Sequence, residues 1–211
     1  MGDMGITHCH LELYRNFMFN FNPLYPPKKE KVQQKIFNLQ GNYPNLPYQE
    51  LAKKLISEKC FWCALVGVIS AIPATLPGIG TVIALVLGMA LDITLFTYLL
   101  VNLIIEIAAV YGRDLTGENY YREVFWAFLL ATGTGGLGKS LSRTVVTQMP
   151  KDAFVSLAEK IFISFGLRTT IRSTLVRIIP FLGLFLAGGL NYRMAKMLGD
   201  RAIEYYEKNL V

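Results

Sequence analysis

The sequence predicts an all-α protein: a helical bundle built from two apolar helical hairpins that Pro and Gly interrupt, plus one amphipathic basic helix. Three observations predict this class. Apolar residues recur at three- and four-residue spacing along residues 51–211, and no segment alternates apolar and polar residues as a strand does. Hydrophobic residues make up 53% of the 211 residues and charged residues only 17%, against about 25% charged in an average soluble domain. Pro and Gly break two apolar runs, within LPGIG at 76–80 and IPFLG at 179–183.

Residues 1–50 are predicted to form an extended Pro-rich arm, and residues 51–211 a single helical membrane-associated domain. Prolines surround one short helical pattern between Pro23 and Pro47. The first residues lack the basic start, apolar run and small-residue cleavage site of a secretory signal, so we do not expect secretion. Three cysteines leave at least one thiol unpaired, which favours a reducing compartment.

The first predicted hairpin lies in a run of 31 residues without formal charge, from Phe61 to Leu91. This run exceeds the roughly 18 to 20 residues of a membrane-crossing helix. Its interruption leaves a first arm of about a dozen residues, about 18 Å long, which is too short to cross a hydrocarbon core of about 30 Å. A long apolar helix follows from Ile79 to Tyr111, with Gly112 as its C-terminal cap. The predicted interruption consists of Pro73, Pro77, Gly78 and Gly80.

A polar stripe is predicted on the long helix. Asp92, Asn102 and Glu106 fall on one side of it, near Thr81, while the remaining circumference is apolar. Ionisable groups in such a helix cost several kcal/mol unless they are partnered or hydrated, so the stripe is expected to face the bundle interior. Asn191 of the second hairpin is expected to face inward as well. Two interpretations remain: a hydrogen-bond network that fixes helix register, or a path for an ion or substrate.

The second half of the chain predicts shorter helices. The apolar stretches Val124–Leu137 and Ile178–Leu190 are too short to cross a membrane. Pro180 and Gly183 form the interruption that opens the last helix. Residues 151–177 have the pattern of an amphipathic helix that lies in a membrane interface. Its apolar stripe is Phe154, Leu157, Ala158, Ile161 and Phe165.

Basic residues concentrate between positions 139 and 177, where seven lysines and arginines stand against two acidic residues. Such a block suits an anionic phospholipid surface on the cytoplasmic side. The alternative is a solvated helix face. Nucleic acid is not expected as a partner, because no aromatic stacking platform alternates with the basic residues. The candidate lipid- or partner-binding residues are Lys139, Arg143, Lys160, Arg168, Arg172 and Arg177.

One motif matches the pattern of a phosphate-binding loop, with Gly133, Gly138, Lys139 and Ser140 at the required spacing. The motif requires a preceding strand, for which Val124–Leu130 is the candidate, and a parallel sheet that the rest of the chain does not predict. A glycine-rich loop between two helices gives the same letters without nucleotide. Cys60 and Cys63 are expected to pack in the core rather than to bind metal, and the sequence predicts neither a cofactor nor a catalytic site.

Two blocks of the chain resemble the EcsC family of bacterial and protist proteins: residues 64–113, with LPGIG and IAAVYGRDL, and residues 175–210. The resemblance implies membrane association through helical hairpins, without an established reaction. Similar helical blocks accompany dynamin-like and immunity-related GTPases, so it also implies a GTPase or other membrane-protein partner acting in trans. The residues that carry it are Pro77, Gly78, Gly80, Asp92, Gly112, Asp114, Pro180, Gly183 and Asn191.

The sequence therefore predicts a non-enzymatic, membrane-associated helical protein, integral or deeply peripheral, with its basic surface towards the cytoplasm. It would insert short apolar hairpins and bind anionic lipid or a membrane partner through the basic face. The alternatives are an accessory subunit of a larger membrane complex and a nucleotide-binding protein.

Overall fold

The computed structural model describes residues 27–72, 81–115, 118–132, 143–177 and 182–209, with the backbone alone for 81–91, 118–119, 163, 166–177 and 182–184. These residues form seven helices and no strand, which confirms the all-α prediction for the described part of the chain. The helices are α1 (Lys29–Asn42), α2 (Tyr48–Ala71), α3 (Thr81–Val110), α4 (Glu118–Thr132), α5 (Arg143–Gln148), α6 (Lys151–Arg177) and α7 (Leu182–Lys208). The predicted interruptions at Pro73, Pro77, Gly78, Gly80 and Pro180 lie outside the described residues, and Gly183 lies in the first turn of α7.

The most extensive helix contact joins α2 to α7, and glycine makes it close. A Cβ atom on Gly67 would lie 2.8 Å from the carbonyl oxygen of Ala187, and one on Gly199 would lie 2.6 Å from Cγ1 of Ile56. Real Cβ atoms do not approach neighbours this closely, so only glycine fits at these two positions. The two contacts fix the register of an antiparallel pair in which the end of α2 meets the start of α7.

Helix α3 runs through the core beside this pair and ends as the sequence predicts. Gly112 has φ +71°, the left-handed conformation that glycine adopts without strain. Its N–H donates to Ala109, and the N–H of Arg113 donates to Ala108. This is the Schellman arrangement, in which two otherwise unpaired carbonyl groups at the helix end are satisfied.

Three arginines bind the carbonyl groups at the ends of other helices, where intrahelical partners are missing. Arg122 on α4 is buried, and its guanidinium donates to three carbonyl oxygens at the α5–α6 junction. Arg201 on α7 donates to the carbonyl oxygen of Ala131 at the end of α4, 2.9 Å away. Arg113 donates to the carbonyl oxygen of Asn209 at the end of α7. These charge-assisted hydrogen bonds fix the helix ends relative to one another.

Helix α6 has the predicted bounds, and its apolar stripe is buried or half-buried. Phe162 and Phe165 pack edge-on against Phe128 of α4, with ring centroids 4.7 and 5.2 Å apart. Edge-to-face rings gain electrostatic energy in addition to the area they bury. These contacts hold the first half of α6 on α4, and the second half continues towards the start of α7.

The α2–α7 contact predicts opposite effects for two adjacent glycines of α7. A Cβ on Gly188 would lie 2.8 Å from Cγ2 of Val68, whereas no described atom lies within 4 Å of a Cβ on Gly189. We expect Gly188→Ala to lower the free energy of unfolding by about 1–3 kcal/mol through overpacking. Gly189→Ala should raise it by about 0.5–1 kcal/mol, because alanine favours the helix. Thermal unfolding followed by circular dichroism in one detergent would compare the two variants, and equal effects would contradict the described register.

Candidate functional site

The exposed face of α2 changes from polar to apolar near the middle of the helix. Before Cys60 this face carries Lys53, Lys54, Ser57 and Glu58. After Cys60 it carries large apolar side chains that are about half exposed or more: Phe61, Trp62, Ile69 and Ile72. Exposed apolar side chains are common singly, but several together on one helix face indicate a surface that contacts something other than water.

The exposed face of α7 shows the same change in the opposite chain direction. Phe185 and Leu186 at the start of the helix are exposed, Phe185 by 78%. Tyr192 follows, 42% exposed, and from Arg193 onwards the exposed positions are mostly charged. The apolar part of this face is therefore confined to the first three turns of α7.

The register of α2 and α7 brings the two changes to the same level. Ile56 lies opposite Gly199 and Gly67 lies opposite Ala187, so Trp62 lies at the level of Tyr192. Towards the start of α2 and the end of α7 the exposed positions of both helices are mostly polar or charged, and on the other side of this level they are apolar. Tryptophan and tyrosine are the side chains enriched where a membrane protein passes from hydrocarbon to headgroups.

Helix α3 also starts at the end of the bundle where the exposed faces of α2 and α7 are apolar. Asp92 contacts Asn191, whereas Tyr111 stacks on Tyr206 with ring centroids 6.2 Å apart, so α3 runs parallel to α7. Its first eleven residues therefore extend beyond Asn191 in the direction of the start of α7. We define the apolar end as residues 60–72 of α2, 81–91 of α3 and 182–190 of α7. None of these residues carries a formal charge.

Only two of the predicted basic residues have described side chains. Arg143 begins α5 and Lys160 lies in the first half of α6, and both are exposed. Arg168, Arg172 and Arg177 are in the last ten residues of α6, where only the backbone is described. Five chain steps separate Arg177 from Leu182 and cover at most about 18 Å. The end of α6 therefore lies within that distance of the apolar end, and Lys139 is outside the described residues.

Four residues of the predicted polar stripe, Asp92, Asn102, Glu106 and Asn191, are buried, and all but Asn102 have a described partner on a neighbouring helix. The side-chain amide of Asn191 on α7 donates to Oδ1 of Asp92 on α3, 3.1 Å away, and both residues are 1% exposed. Asn102 and Glu106 are also buried. The structure thus brings Asp92 and Asn191 together and leaves Asn102 and Glu106 farther along α3. The side chain of Thr81 is outside the described residues.

Glu106 is held by two lysines that the sequence interpretation did not include. Nζ of Lys59, a buried residue of α2, lies 2.9 Å from Oε1 of Glu106. Nζ of Lys35 on α1 lies 3.1 Å from Oε2 of Glu106 and 2.8 Å from Glu58. Lys59 stands at the four-residue spacing between two buried residues of the apolar face of α2, Leu55 and Cys63. That spacing was the signal for a buried lysine.

The charges around Lys35 change its pKa. Burial alone would lower the pKa, but the carboxylates of Glu106 and Glu58 outweigh it, and the pKa is raised above its ordinary value. Lys35 is therefore charged at neutral pH, where its ion pairs contribute to stability. The part of that contribution that comes from the raised lysine pKa is lost as the pH rises through that pKa.

The nucleotide-binding interpretation requires a strand before the glycine-rich motif, and the structure has a helix there. Val124–Leu130, the candidate strand before the glycine-rich motif, lies inside helix α4. A phosphate-binding loop starts from a buried strand. The strand was a candidate because a helical aromatic face resembles a short buried strand in sequence. Gly133, Gly138, Lys139 and Ser140 are outside the described residues. Cys60 and Cys63 are buried and unpaired with each other, and no metal-binding group of His, Cys, Asp or Glu occurs among the described residues.

One segment within the described residues, Asp92–Val110 of α3, is long and apolar enough to cross a membrane. Two thirds of it is buried by other helices of the bundle. A core helix of a soluble protein has the same length and composition, so this segment is weak evidence for a membrane crossing. It also lies on the opposite side of Asp92 from the apolar end.

The buried ion pair predicts a large stability difference between two lysines of α2. Lys59→Met leaves the buried Glu106 carboxylate with Lys35 alone, whose side chain is 31% exposed, and we expect a loss of about 1.5–3 kcal/mol. The matched control is Lys53→Met, which removes an exposed ion pair with Glu50 and should cost less than about 1 kcal/mol. Chemical denaturation of both variants measures the difference. Equal losses would show that Glu106 does not depend on Lys59.

Comparisons of the chain with protein-family models, with curated proteins and with solved structures found no match. The function of this chain therefore has to be inferred from its own residues.

Proposed function

We infer that this chain is a non-enzymatic membrane-associated protein that inserts its apolar end into one leaflet of a membrane. The observation that carries this inference is the common level at which the exposed faces of α2 and α7 change from charged to apolar. Trp62 and Tyr192 lie at that level, as interfacial anchors do. A soluble bundle gains nothing from such an arrangement, whereas a bundle that stands in a leaflet requires it.

The dimensions of the apolar end fit one leaflet. The apolar exposed part of α2, residues 61–72, is about 18 Å long at 1.5 Å per residue. Half of a hydrocarbon core of about 30 Å is about 15 Å. The apolar end is thus long enough to fill one leaflet and too short to cross both. The buried segment Asp92–Val110 stays within the part of the bundle that faces water.

The side chains of the apolar end supply the free energy of insertion. Transfer of a large apolar side chain out of water contributes about 1.5–3 kcal/mol when it is fully buried. Phe61, Ile69, Ile72, Phe185 and Leu186 each expose between 44% and 78% of their surface. The partial gains from five such side chains are comparable to the binding that one acyl chain provides, which is marginal alone.

Basic residues near the apolar end favour an anionic leaflet. Arg168, Arg172 and Arg177 lie in the part of α6 that leads into α7. Arg193 follows Tyr192 on the exposed face of α7, where the charged positions begin. Each lysine or arginine close to an anionic surface contributes about 1 kcal/mol. Such charges act together with inserted apolar side chains, and the combination favours the cytoplasmic leaflet.

The resemblance to the EcsC family supports the same proposal, because it implies helical hairpins at a membrane and a GTPase or other membrane-protein partner in trans. The alternative is an accessory subunit whose apolar end packs against another membrane protein. In both cases the buried polar stripe acts as a network that fixes helix register. Asp92 is hydrogen-bonded by Asn191, and Glu106 is neutralised by lysines, so neither group requires an ion or substrate.

A matched pair of phenylalanines tests the insertion. Phe185 at the apolar end is 78% exposed, and Phe37 on α1 is 72% exposed but lies away from that end. Transfer of Asp in place of Phe into the membrane centre costs about 3 kcal/mol, so Phe185→Asp should weaken binding by up to about a hundredfold. Phe37→Asp should leave it unchanged. Flotation of the purified chain with phosphatidylcholine–phosphatidylserine vesicles measures both variants.

The outcome separates the candidate occupants of the apolar end. Equal binding by the wild type and both variants would contradict insertion through Phe185. If wild-type protein does not bind vesicles but forms a concentration-dependent dimer that Phe185→Asp abolishes, the apolar end is an interface between copies. Retention of cell-expressed protein through alkaline carbonate extraction, with release by detergent, would agree with insertion.

A second prediction concerns the lipid charge. Replacing Arg168, Arg172 and Arg177 by Gln should weaken binding to phosphatidylserine vesicles by about a hundredfold at low salt, at about 1 kcal/mol for each charge. The loss should shrink at about 0.5 M salt, because screening removes the attraction. The control carries the same change in net charge away from the apolar end, with Lys31, Lys53 and Lys208 replaced by Gln. Equal losses in both triple variants would exclude a specific role for the end of α6.

A further inference from the structure

Helix α1 is attached to the bundle through few contacts. Val32 and Ile36 are buried, Lys35 lies between them, and Phe37 on the outer side is 72% exposed. The helix has 14 residues and no side-chain hydrogen bond at its N-terminal cap. Isolated helices shorter than about 12–15 residues are marginal in water. The helical form of α1 therefore depends on the surface that it covers.

That surface is specific for a cation. Two carboxylates from different helices, Glu58 of α2 and Glu106 of α3, lie 2.8 and 3.1 Å from the same Lys35 ammonium group. The apolar surface of α3 beside them holds Val32 and Ile36 in the core cluster. We call the carboxylates, Lys59 and this adjoining part of α3 the α1-binding surface. Its charge pattern requires a lysine or arginine flanked by aliphatic side chains.

The α1-binding surface retains its own internal ion pair when α1 is taken away. Glu106 keeps Lys59, whose Nζ lies 2.9 Å from Oε1, so the buried carboxylate is not left without a cation. Glu58 is 46% exposed in its side chain and is hydrated. Lys35 regains water as it leaves. Departure of α1 therefore breaks the contacts of one helix and leaves the ion pair between α2 and α3 intact.

We propose that the α1-binding surface is an exchangeable docking site for a basic amphipathic helix of a protein partner, and that α1 occupies it within the chain. The partner helix would carry a lysine or arginine with aliphatic residues three positions before it and one after, the pattern of Val32, Lys35 and Ile36. Residues 43–47 connect α1 to α2, so α1 stays tethered beside the surface and competes with any partner. This inference does not rest on the membrane proposal.

Hydrogen exchange of the full chain tests whether α1 is released separately. In Lys35→Glu, the new carboxylate faces Glu58 and Glu106, so the amides of α1 should exchange at least tenfold faster while those of α2 and α3 stay within twofold of the wild type. The control Lys53→Glu breaks only the exposed pair with Glu50 and should leave α1 unchanged. If α2 and α3 lose protection together with α1, then α1 belongs to the cooperative core and the proposal fails.

A labelled peptide of residues 27–46 tests the docking site itself. The Lys35→Glu full chain should bind the wild-type peptide saturably, at least tenfold more tightly than the wild-type chain does, because its own α1 no longer occupies the surface. The same peptide with Lys35→Glu should bind at least tenfold more weakly. Fluorescence anisotropy measures all three pairs. The proposal is overturned if the wild-type peptide fails to bind the Lys35→Glu chain, or if both peptides bind it equally.

Discussion

The close antiparallel contact between α2 and α7 is the constraint on which the remaining structure depends. Glycine at 67 and at 199 lets the two helices approach until side chains of one touch the backbone of the other. A shift by one helical turn, about 5.4 Å, would drive side chains into the positions that only glycine fits. The register is therefore fixed, and it places Trp62 and Tyr192 at the same level of the bundle. The apolar end is a consequence of this register.

The buried polar groups strengthen the same constraint at two levels of the bundle. Asn191 of α7 binds Asp92 of α3, and Lys59 of α2 binds Glu106 farther along α3. Charges removed from water are costly, and well-packed apolar side chains can replace them without loss of stability. Their contribution here is to specify pairing, because a displaced α3 would leave a carboxylate buried without its donor. The stripe residues whose partners are described, Asp92, Glu106 and Asn191, therefore have a structural role.

Two surfaces of different character lie at different levels of the bundle. The apolar end carries no formal charge and suits the interior of a leaflet, whereas the surface beneath α1 presents two carboxylates at the level of Glu58 and Glu106. Helix α2 contributes to both surfaces. The two surfaces share no residue, so changes at one leave the chemistry of the other intact.

The sequence by itself determined the all-α class and some helix bounds, because these depend on local periodicity and on glycine: α6 has its predicted bounds, and Gly112 caps the end of α3. It also indicated which side of α3 is polar. Periodicity left a strand at 124–130 open as part of the nucleotide-binding alternative, and the structure has helix α4 there. Only the tertiary structure decided that Lys35 and Lys59 bind Glu106 and that the apolar faces of α2 and α7 share one end. Those facts depend on contacts between residues far apart in the chain, 71 positions for Lys35 and Glu106 and more than 100 for α2 and α7, which no local pattern contains.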